Sequence, residues 1–128
     1  MRLPIADQIT SLLKTFLDVQ SRRAEIISSN IANAETPGYT AKDLDFAAFL
    51  RQAARQALQT RNQEAAPLPV ASPRVIEQPQ APLRLDGNNV DMAHEMATLA
   101  ETGTQFLTGI QLLQARLRIL RTAIREGK

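Results

Sequence analysis

Residues 91–126 read DMAHEMATLAETGTQFLTGIQLLQARLRILRTAIRE, and the spacing inside this stretch decides the fold. Met92, Met96, Leu99, Gly103, Phe106, Ile110, Leu113, Leu117, Leu120 and Ile124 recur at alternating intervals of four and three residues. That is the seam of a coiled coil, with Gly103 its one non-bulky member. Asp91 suits the N-cap, and Glu95 places a carboxylate in the first turns, where the helix dipole favours it. Arg116, Arg118, Arg121 and Arg125 gather at the far end, where the dipole favours cations. That compensation is the preferred reading of the arginines, ahead of a docking patch for an acidic or phosphate-bearing partner. A rise of about 1.5 Å per residue makes this helix roughly 54 Å long.

A second seam lies at the other end of the chain. Ile5, Ile9, Leu12, Phe16 and Val19 repeat the same spacing within a helix predicted over residues 5–33. Pro4 fits its first turn, where a missing N–H is no loss. Arg23 interrupts the register, and the stripe shifts to Ala24, Ile27, Ile31 and Ala34, a break that should alter the supercoil locally. Thr36-Pro37-Gly38-Tyr39 ends the helix, since Pro-Gly fills the central positions of a type II turn. A shorter helix is expected over 45–58, capped by Asp45, with Phe46, Phe49, Leu50, Ala53, Ala54 and Ala57 on one face.

The predicted organisation is therefore all-α. Two long terminal helices pair as an elongated coiled coil, with one shorter helix and a Pro-rich extended linker between them. Residues 1–39 hold the first helix and its turn, 40–58 the short helix, 59–90 the linker and a turn, and 91–128 the last helix. The termini together form one domain. Five of the seven prolines crowd into residues 67–82, a density that forbids regular helix. Val75-Ile76 and Leu83-Arg84-Leu85 are candidate short extended pieces there, and Asp86-Gly87-Asn88-Asn89 is a turn signal.

Composition narrows the function. The 128 residues carry 15 basic and 13 acidic side chains, a net charge of +2 that does not support nucleic-acid or membrane-surface binding. Aromatics are 4% of the chain, so the core is expected to be aliphatic and elongated, and marginal without neighbours. Cysteine is absent, which excludes disulfides, thiolate nucleophiles and thiolate metal sites. The longest run free of polar residues and proline is Phe46–Leu50, far short of the roughly 20 residues a spanning helix needs. Asp7, Gln8, Thr10 and Ser11 interrupt what a secretory signal would require to be apolar.

Catalytic and metal-binding constellations are also missing. His94 is the one histidine and reads as a surface or capping residue. Asp43 and Asp45 have no evident acid–base partner in the sequence. Asp86-Gly87-Asn88-Asn89-Val90-Asp91 departs from a calcium loop, lacking the central glycine and the terminal glutamate. Neither an enzyme, a cofactor nor a small-molecule substrate is expected.

The sharpest local signal is Asn30-Ile31-Ala32-Asn33-Ala34-Glu35-Thr36-Pro37-Gly38-Tyr39. Asn30 and Asn33 share a helical face near the helix end, where an amide can reach exposed carbonyls or a facing helix. The run resembles the N-terminal signature of the flagellar rod, hook and hook-associated axial proteins. Lys42-Asp43-Leu44-Asp45-Phe46 and Leu85-Asp86-Gly87-Asn88-Asn89-Val90-Asp91-Met92 are similar to the short proximal rod members of that family. The signature positions carried over are Asn30, Asn33, Thr36, Pro37, Gly38 and Tyr39, joined by Asn88, Asn89 and Asp91.

The resemblance implies a structural subunit of the bacterial flagellar basal body, polymerising through its terminal helices in the periplasmic rod. It implies export by the flagellar type III apparatus without a cleaved signal peptide. It also implies contacts with copies of itself, other proximal rod proteins, the rod–ring adapter and the MS-ring protein. Torque transmission from ring to drive shaft is the implied role. A soluble coiled-coil adaptor or export chaperone is the alternative. On the rod reading, the isolated chain is expected to be monomeric and to order its termini on assembly.

Overall fold

A computed structural model describes residues 4–60, 73–78 and 82–127. Its elements run α1 (Pro4–Ala32), β1 (Lys42–Leu44), α2 (Phe46–Thr60), β2 (Val75–Glu77) and α3 (Met92–Glu126). Two long terminal helices pack together, as the two seams foretold, and the fold is essentially all-α. They run antiparallel. Asn30 meets Glu95, Gln20 meets Gln105, and Arg116 reaches Thr10.

The helix boundaries follow the capping chemistry. Asp91 sits in extended backbone and its carboxylate accepts from the His94 N–H at 3.1 Å. Asp45 caps α2 in the same way, accepting from Ala48 N–H at 2.9 Å. Past α1, Gly38 has φ 73° and Tyr39 N–H returns to Thr36 carbonyl at 3.3 Å, the geometry of a type II turn. Helix α2 runs two residues beyond its predicted end, to Thr60. Most of the predicted linker, 61–72 and 79–81, lies outside the described residues, as do the ends 1–3 and 128.

Two strands interrupt the helices. Val75–Glu77 pairs antiparallel with Lys42–Leu44, in the register Lys42 with Glu77, Asp43 with Ile76 and Leu44 with Val75. Leu83-Arg84-Leu85 forms no strand; Leu83 and Leu85 stand exposed before a turn at Asp86 and Gly87.

The core is small and split. Val19, Leu44 and Phe49 are buried together, with Ile26 and Phe46 against them. Phe16, Phe46 and Phe49 form a ring cluster, with centroids 6.5 Å and 6.3 Å apart. The buried apolar side chains are aliphatic apart from Phe49, and the few rings are concentrated where α2 docks on α1. A second cluster, Ala34, Ala41 and Val90 with Tyr39, lies under the α1 turn.

The seam assignment also needs correcting. Val19 and Ile27 are buried as predicted, and Phe16, Ile31, Leu99, Phe106, Ile110, Leu113 and Leu120 are half-buried. Ile9, Leu12, Met92, Met96, Leu117 and Ile124 are exposed instead, and so is Gly103. The buried residues of α3 are Glu95, Thr98, Thr102 and Gly109. The face turned to α1 is thus short and polar, because it admits a closer approach. A Cβ at Gly109 would lie 2.8 Å from Leu17 Cδ2 and 3.1 Å from the Phe16 ring. Apolar periodicity identifies the stripe that avoids water, and here much of that stripe is not covered within the chain.

Candidate functional site

Five segments meet where α1 ends: the last turns of α1, the Pro37-Gly38 turn, β1, the loop 82–91 and the first turns of α3. The residues that carried the resemblance converge there.

Asn30 is the hub and has no exposed surface. Its amide donates to Lys42 carbonyl at 2.7 Å and to Glu95 Oε2 at 3.0 Å. Its oxygen accepts from Lys42 N–H at 3.0 Å and from the Tyr39 hydroxyl at 3.1 Å. Both amide hydrogens and both lone pairs are used, which is what makes a fully buried amide tolerable. One side chain thereby joins α1, the turn, β1 and α3.

Asn88, equally buried, works from the opposite side. It donates to the carbonyls of Asn33 and Thr36, each at 2.9 Å, and accepts from Val90 N–H at 2.8 Å. Carbonyls just past the end of α1 therefore find donors on the loop before α3. Asn89 accepts from Ala41 N–H at 2.6 Å and donates to Gln78 carbonyl at 3.0 Å. Gly38 N–H donates to Asp86 carbonyl at 2.8 Å, pressing one turn against the other. The second turn centres on Gly87, φ 79°, where a Cβ would stand 3.4 Å from Gly38 Cα.

Asn33 is more local than Asn30. It donates to Ser29 carbonyl at 2.8 Å and accepts from the Thr36 hydroxyl at 3.2 Å, closing the end of α1. Pro37 is exposed on the turn, and Asp91 serves as the cap already described. Seven of the nine signature residues are thus bonded into one interlocked clasp, with Pro37 and Asp91 at its edges.

Sequence reasoning missed three features, one of them a residue pair. Glu95 is buried on Asn30, although it read as a dipole partner. Arg23 and Asp43 form a bidentate pair, with both nitrogen–oxygen distances 3.0 Å, so the residue that breaks the heptad reads as the anchor of β1. Hydrogen bonding to Asp43 raises the Arg23 pKa, against the lowering by burial. The signal for this pair was the charge set inside an apolar stripe. The third is Gln20, which donates to Gln105 at 2.8 Å while its own Oε1 is buried without a partner among the described residues.

This arrangement holds the helices in register. Among the described residues, no cluster of His, Asp or Glu could hold a metal ion. Among them too, no helix is long and apolar enough to cross a membrane.

The comparisons agree with the geometry. The family model for "Flagella basal body rod protein" matches residues 17–40, the stretch from mid-α1 through the turn. Flagellar basal body rod protein FlgB of Cereibacter sphaeroides is 38% identical over 112 residues, spanning 85% of this chain and 88% of the relative. The Salmonella typhimurium FlgB is 32% identical over 126 residues, spanning 87% and 88%. That of Yersinia enterocolitica is 30% identical over 126 residues, spanning 87% and 89%. These relatives are structural rod proteins and not enzymes. With Asn30 to Tyr39 in the matched stretch and relatives of 32% and 38% identity covering 87% and 85% of its length, this chain belongs to the FlgB family of flagellar basal body rod proteins.

Proposed function

We propose that the chain is a structural subunit of the proximal rod, polymerising through its paired terminal helices and carrying torque between the membrane ring and the drive shaft. The observation that carries this reading is the apolar surface left on the helix pair. Ile9 and Leu12 on α1, and Met96, Leu107, Leu112, Leu117, Ile119 and Ile124 on α3, are each more than two-fifths exposed. Apolar residues in such number along one elongated unit mark surfaces meant to be covered by neighbours. The clasp supplies the complementary property. It fixes the register of α1 on α3, so the exposed stripes present a defined surface.

On this reading the partners are copies of the chain, other proximal rod proteins, the rod–ring adapter and the MS-ring protein. Delivery is through the flagellar type III apparatus, without cleavage of a signal, into the periplasmic rod. The terminal helices with their turns act as one domain, and Asn30, Asn33, Thr36, Pro37, Gly38, Tyr39, Asn88, Asn89 and Asp91 act in assembly by shaping it.

The test is complementation. The chain should restore motility to a strain deleted for its own copy, and imaging of purified basal bodies should trace it in the proximal rod. Asn33→Leu should impair rod assembly more than it lowers helix content in the isolated chain. A chain that restores nothing and forms a defined small oligomer in solution would instead be an adaptor.

A further inference from the structure

We propose that α3 is jointed at Gly103. Its C-terminal half, residues 105–126, swings off α1 as an intact helix while the half that carries Glu95, Thr98 and Thr102 stays shut on the clasp. This holds whether or not the chain works in the rod.

Packing does not call for a glycine at 103. The residue is exposed in mid-helix, and a Cβ there would meet nothing within 4 Å. Nor does the backbone require it, since positive φ among the described glycines occurs at Gly38 and Gly87. What a glycine does here is weaken the helix locally. Threonines bracket it. The hydroxyls of Thr98, Thr102, Thr104 and Thr108 donate to the carbonyls of His94, Thr98, Ala100 and Thr104 at 2.9, 2.8, 3.0 and 2.9 Å. Threonine bonds of this kind bend helices, and sharp bends have local causes such as these.

The interface with α1 changes character at the same level. Before Gly103, Glu95 is buried on Asn30 and every polar atom of Asn30 is satisfied. Just past it comes the Gln20–Gln105 contact. Gln20 is 1% exposed and donates to Gln105 at 2.8 Å, while its own Oε1 has no partner among the described residues. Gln105 also donates to Glu101 at 3.2 Å, which turns its oxygen toward Gln20. Turning the Gln20 amide over would set oxygen against oxygen and strand the nitrogen instead. A buried carbonyl without a donor penalises the closed state, and separating the helices lets water reach it. Closure is therefore penalised at Gln105 and favoured at Glu95.

The moving partner is α3, because α1 is held at this level by other elements. Val19 is buried with Leu44 and Phe49, the Phe16 ring stands 6.5 Å from Phe46, and Arg23 pairs with Asp43. Tilting α3 as one rod would pull Glu95 off Asn30, whereas a bend at Gly103 leaves that bond alone. Residues 105–126 span roughly 33 Å at 1.5 Å per residue, so a bend of about 20° carries their tip roughly 11 Å. The close approach of Gly109 to Leu17 and Phe16 and the bond from Arg116 to Thr10 hold the swing closed.

The chain has no native cysteine, so pairs of introduced cysteines carry spin labels cleanly. Three exposed pairs are placed in the full-length chain and their distances read by pulsed dipolar spectroscopy. Ser11→Cys with Gln114→Cys spans the helices beyond the joint. Ser28→Cys with Ala97→Cys spans them beside the clasp. Gln111→Cys with Thr122→Cys lies within the swinging half. The first pair should give two distances, and the other two pairs one each. Gly103→Ala should lower the ratio of open to closed form about threefold, and Gln20→Met about tenfold. Gln105 is half-buried and keeps its bond to Glu101 in the Gln20 variants. Gln20→Leu repeats the test with a second apolar shape. A single distance for the first pair overturns the proposal. So does a broad distance within the swinging half, which would mean melting. A ratio indifferent to Gly103→Ala, or more open form in both Gln20 variants, overturns it as well.

Discussion

Asn30 is the most heavily bonded side chain of the clasp, because it satisfies groups on the turn, β1 and α3 at once. Asn30→Leu would strand the Glu95 carboxylate, the Tyr39 hydroxyl and both polar groups of Lys42's backbone. We expect a loss of about 3–5 kcal/mol in urea unfolding, in line with breaking a buried polar pair. Asn30→Asp keeps the shape and sets a second carboxylate against Glu95. Glu95→Gln should offset that change, with a coupling of about 1–3 kcal/mol in the double-mutant cycle. Zero coupling would show that the two side chains do not meet. Arg23→Lys keeps the charge and loses the planar fork on Asp43, and should cost about 1 kcal/mol. Arg23 has its pKa raised on folding, so its contribution is complete below the ordinary guanidinium pKa. It is lost only as pH rises through the folded value. The Arg23→Lys difference should therefore be flat across the neutral and moderately alkaline range.

At the scale of the element, α3 carries two surfaces with different tasks. The face on α1 is narrow and polar and includes Gly109; the neighbouring stripe is apolar and includes Gly103. A Cβ at Gly103 meets nothing within 4 Å, so Gly103→Ala should stabilise by about 0.5–1 kcal/mol through helix propensity alone. At Gly109 the same change collides with Leu17 and Phe16, and should destabilise by about 1 kcal/mol as the helices separate. Thermal melts of the two variants should therefore move in opposite directions. These facts also show what the sequence could reveal. The existence of α3 and its cap at Asp91 were legible because ten heptad positions and a cap are local signals. Which face meets α1 was not legible, since the most apolar face is not the buried one. The Pro37-Gly38 turn was legible for the same local reason. The Asn30–Glu95 contact spans 65 residues and leaves no periodic trace. Strand β1, Lys-Asp-Leu, is too short to show alternation.

At the scale of the whole molecule, stability is unequal from end to end. Buried side chains gather around Ile27–Ala34 and Asn88–Glu95, while Ile9, Leu12, Leu117 and Ile124 lie open at the other end. Amide exchange should be slowest near the clasp and quicken progressively toward the distal ends of α1 and α3. Uniform protection along both helices would contradict this gradient. The exposed distal ends are the parts expected to gain protection when neighbours cover them. The paired turns at Gly38 and Gly87 carry one more consequence, for a chain synthesised from its N-terminus forward. Asn30 must wait for a carboxylate 65 residues downstream, and the Asn33 carbonyl for an amide 55 residues downstream. Until most of the polypeptide has emerged, its first helix has no mate and the latch cannot shut. Closure is therefore a late event in folding, because it waits on contacts 65 and 55 residues apart in sequence.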